Sequence, residues 1–235
     1  MNLIHQFNQN VDEVINKVRT TQEMVIQQAA KVIAKTVANG GIIQAFGSGH
    51  SFAGAIEIAG RAGGFIPSKA INNFYGINGW LETIAGVGTA FIKQVDMQPE
   101  DCFIIISNSG RNPLHIEFAK YISEFGCQLI VITNKQDALK NAQQGDSILN
   151  YADVIIDNCG FSGDCSIEVQ ELEVKVAPTS SIAVAHIASM MILLAIEELM
   201  AKGITPPIYK SANIAGGREY NHKLREQYQQ RLNRI

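Results

Sequence analysis

Residues 102–113 read Cys102-Phe103-Ile104-Ile105-Ile106-Ser107-Asn108-Ser109-Gly110-Arg111-Asn112-Pro113. An unbroken apolar run gives way to small and polar residues, and a proline then opens the next segment. A short apolar run rich in β-branched residues suits a strand covered on both faces, as in a parallel sheet. Ser, Asn and Gly suit a turn. Pro113 stands where the first N–H of a helix would be unpaired in any case, so a helix is predicted from Pro113 to Glu124, closed by Gly126.

The same strand, turn and helix recur on either side. Upstream, Ile42 to Phe46 reads as a strand, Gly47-Ser48-Gly49-His50-Ser51 as a turn, and Ser51 to about Ala62 as a helix. Downstream, Gln128 to Ile132 is a strand that ends at Thr133-Asn134. Phe65 to Ala70, Val154 to Ile156 and Glu173 to Val176 are shorter strand candidates. Residues 72–79 read as a loop, and Leu81 to Gln94 as a weak helix interrupted by Gly86 and Gly88. Pro178-Thr179-Ser180-Ser181 opens a long apolar helix to Ala201. At the start of the chain, Ile4, Phe7, Val11, Val14, Val18, Val25, Ala29 and Val32 form one helical stripe between Asn2 and Ala38. Thr20-Thr21 marks a break in it, and Asn39-Gly40-Gly41 a stop. Strands alternating with helices predict βαβ units, a mainly parallel sheet and helices on both faces. The expected organisation is one α/β domain, with a helical N-terminal arm (1–40), a central unit (41–205) and a C-terminal tail (206–235).

Composition narrows the function classes. With 235 residues, 46% of them hydrophobic and 17% charged, the chain can bury a core without staples and is not disordered. A net charge of −3 argues against non-specific nucleic-acid binding. Residues 210–235 differ, with six Lys/Arg against two Asp/Glu; a solvated surface helix is the expectation, with docking onto the acidic body as the alternative. Cys102, Cys127, Cys159 and Cys165 lack zinc-type spacing, so reduced thiols and a cytoplasmic location are expected. The first residues lack the charged and apolar regions of a signal peptide. Ile182 to Ile196, broken by His186 and Ser189, is shorter than the roughly 20 residues a bilayer needs, so it reads as a buried helix and no membrane partner is expected.

Ligands of open parallel sheets bind outside the carboxyl ends of the strands. Three small-residue turns stand there: Gly47-Ser48-Gly49-His50-Ser51, Ser107-Asn108-Ser109-Gly110-Arg111-Asn112, and Thr179-Ser180-Ser181. Each precedes a helix, whose free N–H groups and dipole suit a phosphate. Ser and Thr are also ordinary helix caps, but three such turns in one α/β chain favour an anion site. A dinucleotide does not fit, because Phe52 stands where the third glycine of G-x-G-x-x-G belongs and Ser68-Lys69-Ala70 offers no acidic residue for a ribose. The P-loop signature is absent. A small phosphorylated molecule, with no cofactor, is expected.

Ile104-Ile105-Ile106-Ser107-Asn108-Ser109-Gly110-Arg111-Asn112 resembles the I-S-x-S-G-x-T strand and loop of the sugar isomerase (SIS) domain family. Gly47 to Ser51 resembles its first ligand loop and Pro178 to Ser181 its third. Gly60-Arg61-Ala62-Gly63-Gly64 and Ser211-Ala212-Asn213-Ile214-x-Gly216-Gly217 resemble stand-alone bacterial members. The resemblance spans about Ile42 to Met200. It implies a flavodoxin-like three-layer α/β/α sandwich around a five-stranded parallel sheet, a phosphosugar ligand, and a homodimer or homotetramer. Asn112 departs from the pattern, replacing its Thr. SIS regulators of the RpiR type carry an N-terminal DNA-binding domain, for which the arm is short.

Aldose–ketose isomerisation needs a base near carbon and an acid at the carbonyl oxygen. Glu57, in Ala55-Ile56-Glu57-Ile58-Ala59, is expected to be desolvated, which raises a carboxyl pKa. His186 follows Thr179 by seven residues, about 10 Å along the helix. An exposed Glu and a core His are the ordinary alternatives. Glu57-Ile58-Ala59-Gly60-Arg61 and Thr179-Ser180-Ser181-Ile182-Ala183-Val184-Ala185-His186 resemble the E-x-x-G-R and T-x-x-I-x-x-x-H stretches of phosphoheptose isomerases, whose pair acts as acid and base. Zinc-binding members add His and Gln where Ala53 and Ala183 stand here, so no metal is expected. His50 and His222 are further candidate ligand contacts. The expected function is a metal-independent sugar-phosphate isomerase. The alternatives are a non-catalytic phosphosugar sensor and a lyase-type etherase acting on a 6-phospho amino sugar.

Overall fold

A computed structural model describes residues 2–71 and 79–234. Most of the expected loop at 72–79 lies outside the described residues. The N-terminal stripe forms α1 (Leu3–Thr21) and α2 (Glu23–Ala38). Thr20 and Thr21 hydroxyls donate back to the carbonyls of Asn16 and Lys17, a competition that weakens the helix before Gln22. The chain then runs β1 (Ile43–Gly47), α3 (Ser51–Ile58), β2 (Ser68–Ala70), α4 (Val87–Ile92), β3 (Cys102–Ile106), α5 (Pro113–Phe125), β4 (Gln128–Thr133), α6 (Lys135–Ala142) and β5 (Val154–Asp157). It closes with β6 (Cys165–Ile167), β7 (Val176–Pro178), α7 (Ser180–Ala201), α8 (Gly217–Arg225) and α9 (Gln229–Leu232).

Strands β1 to β5 form one parallel sheet in the order β2-β1-β3-β4-β5, as the α/β reading expected. Ile43, Ala45, Ile104 and Ile106 face one core with α2, α3 and α7. Phe46, Phe103 and Ile105 face the other with α4 and α5. Successive side chains of a strand point to opposite faces, so a continuous apolar strand is what two covered faces require. The helices that follow β1 and β3 go to opposite faces, and a crevice opens between those two strand ends.

Several boundaries differ from expectation, each for a tertiary reason. Helix α3 stops at Ile58 rather than near Ala62, because Gly63 and Ile66 donate to the carbonyls of Tyr209 and Pro207. The same exchange leaves only Ser68–Ala70 of the expected Phe65–Ala70 strand in the sheet. Only Val87–Ile92 of the weak helix at 81–94 forms a helical turn beyond a short 3₁₀ segment. The strand expected at 173–176 begins at Val176 and pairs antiparallel with β6, outside the main sheet. Helix α6 was not anticipated; Asn134 caps it by accepting from the Asp137 N–H.

Helix α7 is 22 residues long, so the expectation of an apolar stretch too short to span is corrected: by length and mean hydropathy (1.9) it could cross a bilayer. Val184, Ile187, Ala188, Met191, Ala195 and Leu199 are nonetheless buried in the core it shares with α2. The basic tail also departs from a simple solvated helix. Arg231 in α9 reaches Asp96 and Asp101 at the N-terminal end of the sheet.

Candidate functional site

The C-terminal ends of β1, β3 and β5 and the N-termini of α3 and α7 border one small cleft. His50, Ser51, Gly54, Ile106, Asn108, Asn158, Ser180, Ser181 and Val184 line it. The space it encloses is about 10 Å³, room for one water. Close packing of α3 on α7 builds this wall: a Cβ at Gly54 would lie 2.6 Å from Val184 Cγ1.

In the first loop, a Cβ at Gly47 would lie 2.5 Å from the Ser51 carbonyl oxygen, so only glycine lets β1 fold into α3 here. Gly49 adopts φ +54°. Ser48 is buried, and its hydroxyl donates to Glu82 and lies 3.2 Å from His115 Nε2. A hydroxyl has one proton, so with Ser48 donating to the carboxylate, His115 donates from Nε2 to Ser48. His115 Nδ1 is then a buried acceptor without a partner among the described residues. Burial pushes the His115 pKa down to about 4 and keeps the ring neutral.

The second loop has its carbonyls tied back to the body. Asn108 O accepts from Asn134 N–H and Thr133 Oγ1. Ser109 O accepts from Asn141 Nδ2, and Gly110 O from Ile148 N–H and Ser147 Oγ. Among the described residues the N–H groups of residues 108–112 have no backbone partner, and the hydroxyls of Ser107 and Ser109 have no partner either. Arg111 is exposed beside them, and Asn112 precedes α5 without a side-chain cap bond. A row of donors without partners among the described residues, at the start of a 13-residue helix, has the chemistry that suits an anion.

The third loop differs from expectation. Asp164 Oδ1 accepts from the N–H groups of Thr179 and Ser180, and Asp164 Oδ2 from the Ser180 hydroxyl. An internal carboxylate thus takes the start of α7, and these donors are not free for a phosphate. Ser181 remains on the cleft wall. Thr179 Oγ1 is buried without a partner among the described residues.

Neither member of the expected acid/base pair is among the residues that line the cleft within one chain. Glu57 pairs with Arg61, and its side chain is 37% exposed, so the expected desolvation is not met. Its neighbour Ile56 is itself exposed. His186 is two residues, about 200°, round α7 from the cleft-lining Val184. Its pKa is lowered by burial and then by Arg19 of α1, and its Nε2 is buried without a partner among the described residues. His222 lies on α8 with its Nδ1 3.4 Å from Glu226, away from the cleft.

Sequence reasoning missed Glu82, His115, Asn158 and Asp164. Asn158 follows β5 as a small polar residue at a strand end, the signal that found the other loops. The other three are brought in by tertiary structure and leave no local mark.

A family model described as the SIS domain matches residues 6–134. The chain is 45% identical over 223 residues to UPF0309 protein lmo0025 of Listeria monocytogenes, covering 94% of each. Its fold is similar to a phosphoheptose isomerase from Francisella tularensis, with TM-score 0.58 and 13% identity over 83% of this chain and 97% of that one. It is also similar to the sugar isomerase domain of an RpiR transcription factor from Sphaerobacter thermophilus, with TM-score 0.52 and 14% identity over 98% and 99%. Identities this low show a shared fold.

Proposed function

The chain belongs to the SIS-domain family, and from that premise we propose that it binds a small phosphosugar in the crevice between β1 and β3. The second loop carries this reading: its carbonyls are anchored while its N–H groups and the Ser107 and Ser109 hydroxyls stay available at the start of α5. Ser51, Ser181, His50 and Asn108 extend polar groups along the same cleft, where sugar hydroxyls would lie. Calorimetry with sugar phosphates and their unphosphorylated sugars tests it. Binding that requires the phosphate is expected; equal binding of both forms would overturn the phosphate assignment.

The finer reading is aldose–ketose isomerisation in the cytoplasm by a homodimer. Glu57 and His186 then act in the assembled protein rather than in one chain. His186 shares an α7 stripe with the exposed Ile182, Leu193 and Met200, a surface suited to a second copy. Hydrogen–deuterium exchange at the sugar's C2 detects this reaction. A second reading, a phosphosugar sensor without turnover, is favoured by the Glu57–Arg61 ion pair, which holds the carboxylate at the surface. Phosphate-dependent binding with no C2 exchange for any sugar phosphate would select it.

A further inference from the structure

Asn108 and Asn158 stand at the ends of β3 and β5 and line the same cleft. The two ends of a carboxamide are told apart by their hydrogen bonds. At Asn158 the backbone decides: Oδ1 accepts from the Gly160 N–H at 2.9 Å. Nδ2 is therefore the end that meets Asn108, and it donates to Asn108 Oδ1 at 2.7 Å. A backbone N–H cannot reverse its role, so the order carries through both side chains. Asn108 must give its oxygen to Asn158 and keep its own Nδ2, with two protons, for the cleft. That Nδ2 has no partner among the described residues, whereas Asn158 is buried with Oδ1 on the Gly160 N–H and Nδ2 on Asn108.

The geometry points to Asn158 as a positioning residue that fixes Asn108 as a hydrogen-bond donor, so that the cleft selects sugar phosphates presenting a hydroxyl or carbonyl oxygen over those presenting an ammonium. An oxygen accepts from Asn108 Nδ2. An ammonium is itself only a donor; facing Nδ2 it loses water and gains no partner. Discrimination of this kind comes from the unpaired group that the wrong ligand leaves behind. The inference rests on the phosphosugar reading and gives that site a ligand preference.

Calorimetry with glucose 6-phosphate, glucosamine 6-phosphate and inorganic phosphate tests it on wild type, Asn158→Leu and Asn108→Ala. Wild type is expected to prefer glucose 6-phosphate over the amino sugar by about tenfold or more. Asn158→Leu fills the same space without the carboxamide's hydrogen-bonding groups and frees Asn108 to turn, so the preference should collapse to roughly twofold or less. A purely structural role would weaken both sugar phosphates alike and leave their ratio unchanged. Asn108→Ala, at a partly exposed position, deletes the donor itself and should erase the preference even if Asn158→Leu fails to fold. A wild type without preference, or an Asn108→Ala variant that keeps it, overturns the inference while phosphate-dependent binding stands. Failure of wild type to bind any of the three ligands overturns the phosphosugar reading as well.

Discussion

Arg231 donates from Nη1 and Nη2 to both carboxylate oxygens of Asp101, at 2.9 and 2.7 Å. Asp101 is 1% exposed and also accepts from the Ile42 N–H and Gln44 Nε2, so one carboxylate ties the tail to the starts of β1 and β3. Removing the guanidinium leaves a buried charge with weaker compensation. Arg231→Ala is expected to destabilise the fold by about 3 kcal/mol and lower Tm by roughly 10 °C. Calorimetric melting checks this, and an unchanged Tm would mean that the tail docks without supporting the sheet.

The loops predict a split between serines of similar sequence context. Among the described residues the Ser109 hydroxyl and the neighbouring N–H groups of the second loop have no partner, whereas the Ser180 hydroxyl already donates to Asp164 at 2.8 Å. A hydrogen bond to a charged group contributes about 1.5–3 kcal/mol, so Ser109→Ala should weaken sugar-phosphate binding by roughly tenfold to a hundredfold. Ser180→Ala should leave affinity nearly unchanged and cost about 1 kcal/mol of stability through the lost cap contact. Titrations of both variants, with melting curves, separate the two roles. Equal losses of affinity would return the third loop to the phosphate.

His115 supplies a pH signature. Unfolded, it takes a proton as the pH falls below its ordinary 6.5; folded, burial holds that off until about 4. Between those values the unfolded chain binds more protons, so stability falls as the pH is lowered and is fully present above about 6.5. The loss is about 3 kcal/mol between pH 7 and pH 4. His115→Gln lacks the titrating ring, and its stability should fall less over this window by that amount. Denaturant unfolding of both proteins at pH 4, 5, 6 and 7 measures the difference. Parallel curves would show that His115 is not the buried neutral ring beside Ser48.

How much of this was legible depended on whether the cause was local. Helix α5 was readable because Pro113 and Gly126 mark its ends chemically, and β3 because an apolar strand needs no distant partner to announce itself. The end of α3 was not, since the backbone bonds that stop it come from residues 207–209. At the site, the second loop was legible as a polar turn between β3 and α5. The first was legible as a turn, but not the His115 and Glu82 that engage Ser48. The third was legible as a helix start, but not the carboxylate on it, because Asp164 lies 16 residues before the Ser180 it caps and no periodicity links them. Glu57 was expected to be desolvated from its apolar neighbours, yet those neighbours fix only which face of α3 is covered, and Ile56 lies on the open one.

Catalysis and assembly can be uncoupled. On α7, Ile182, His186, Leu193 and Met200 fall on one stripe at helical spacing, and Leu193 is 61% exposed. A second copy laid along this stripe would cover it and enclose His186, which in one chain faces away from the cleft. Leu193→Glu places a charge at the stripe's centre without touching the loops. It should convert the protein to a monomer by light scattering at micromolar concentration, abolish C2 exchange, and leave sugar-phosphate affinity within about twofold, because the second loop is complete in one chain. Glu57→Gln should leave the dimer intact and slow exchange by about 10²–10⁴-fold, the usual contribution of a general base. A monomeric wild type would overturn the assembly. Exchange as fast in Glu57→Gln as in wild type would remove Glu57 from the chemistry whatever the oligomeric state.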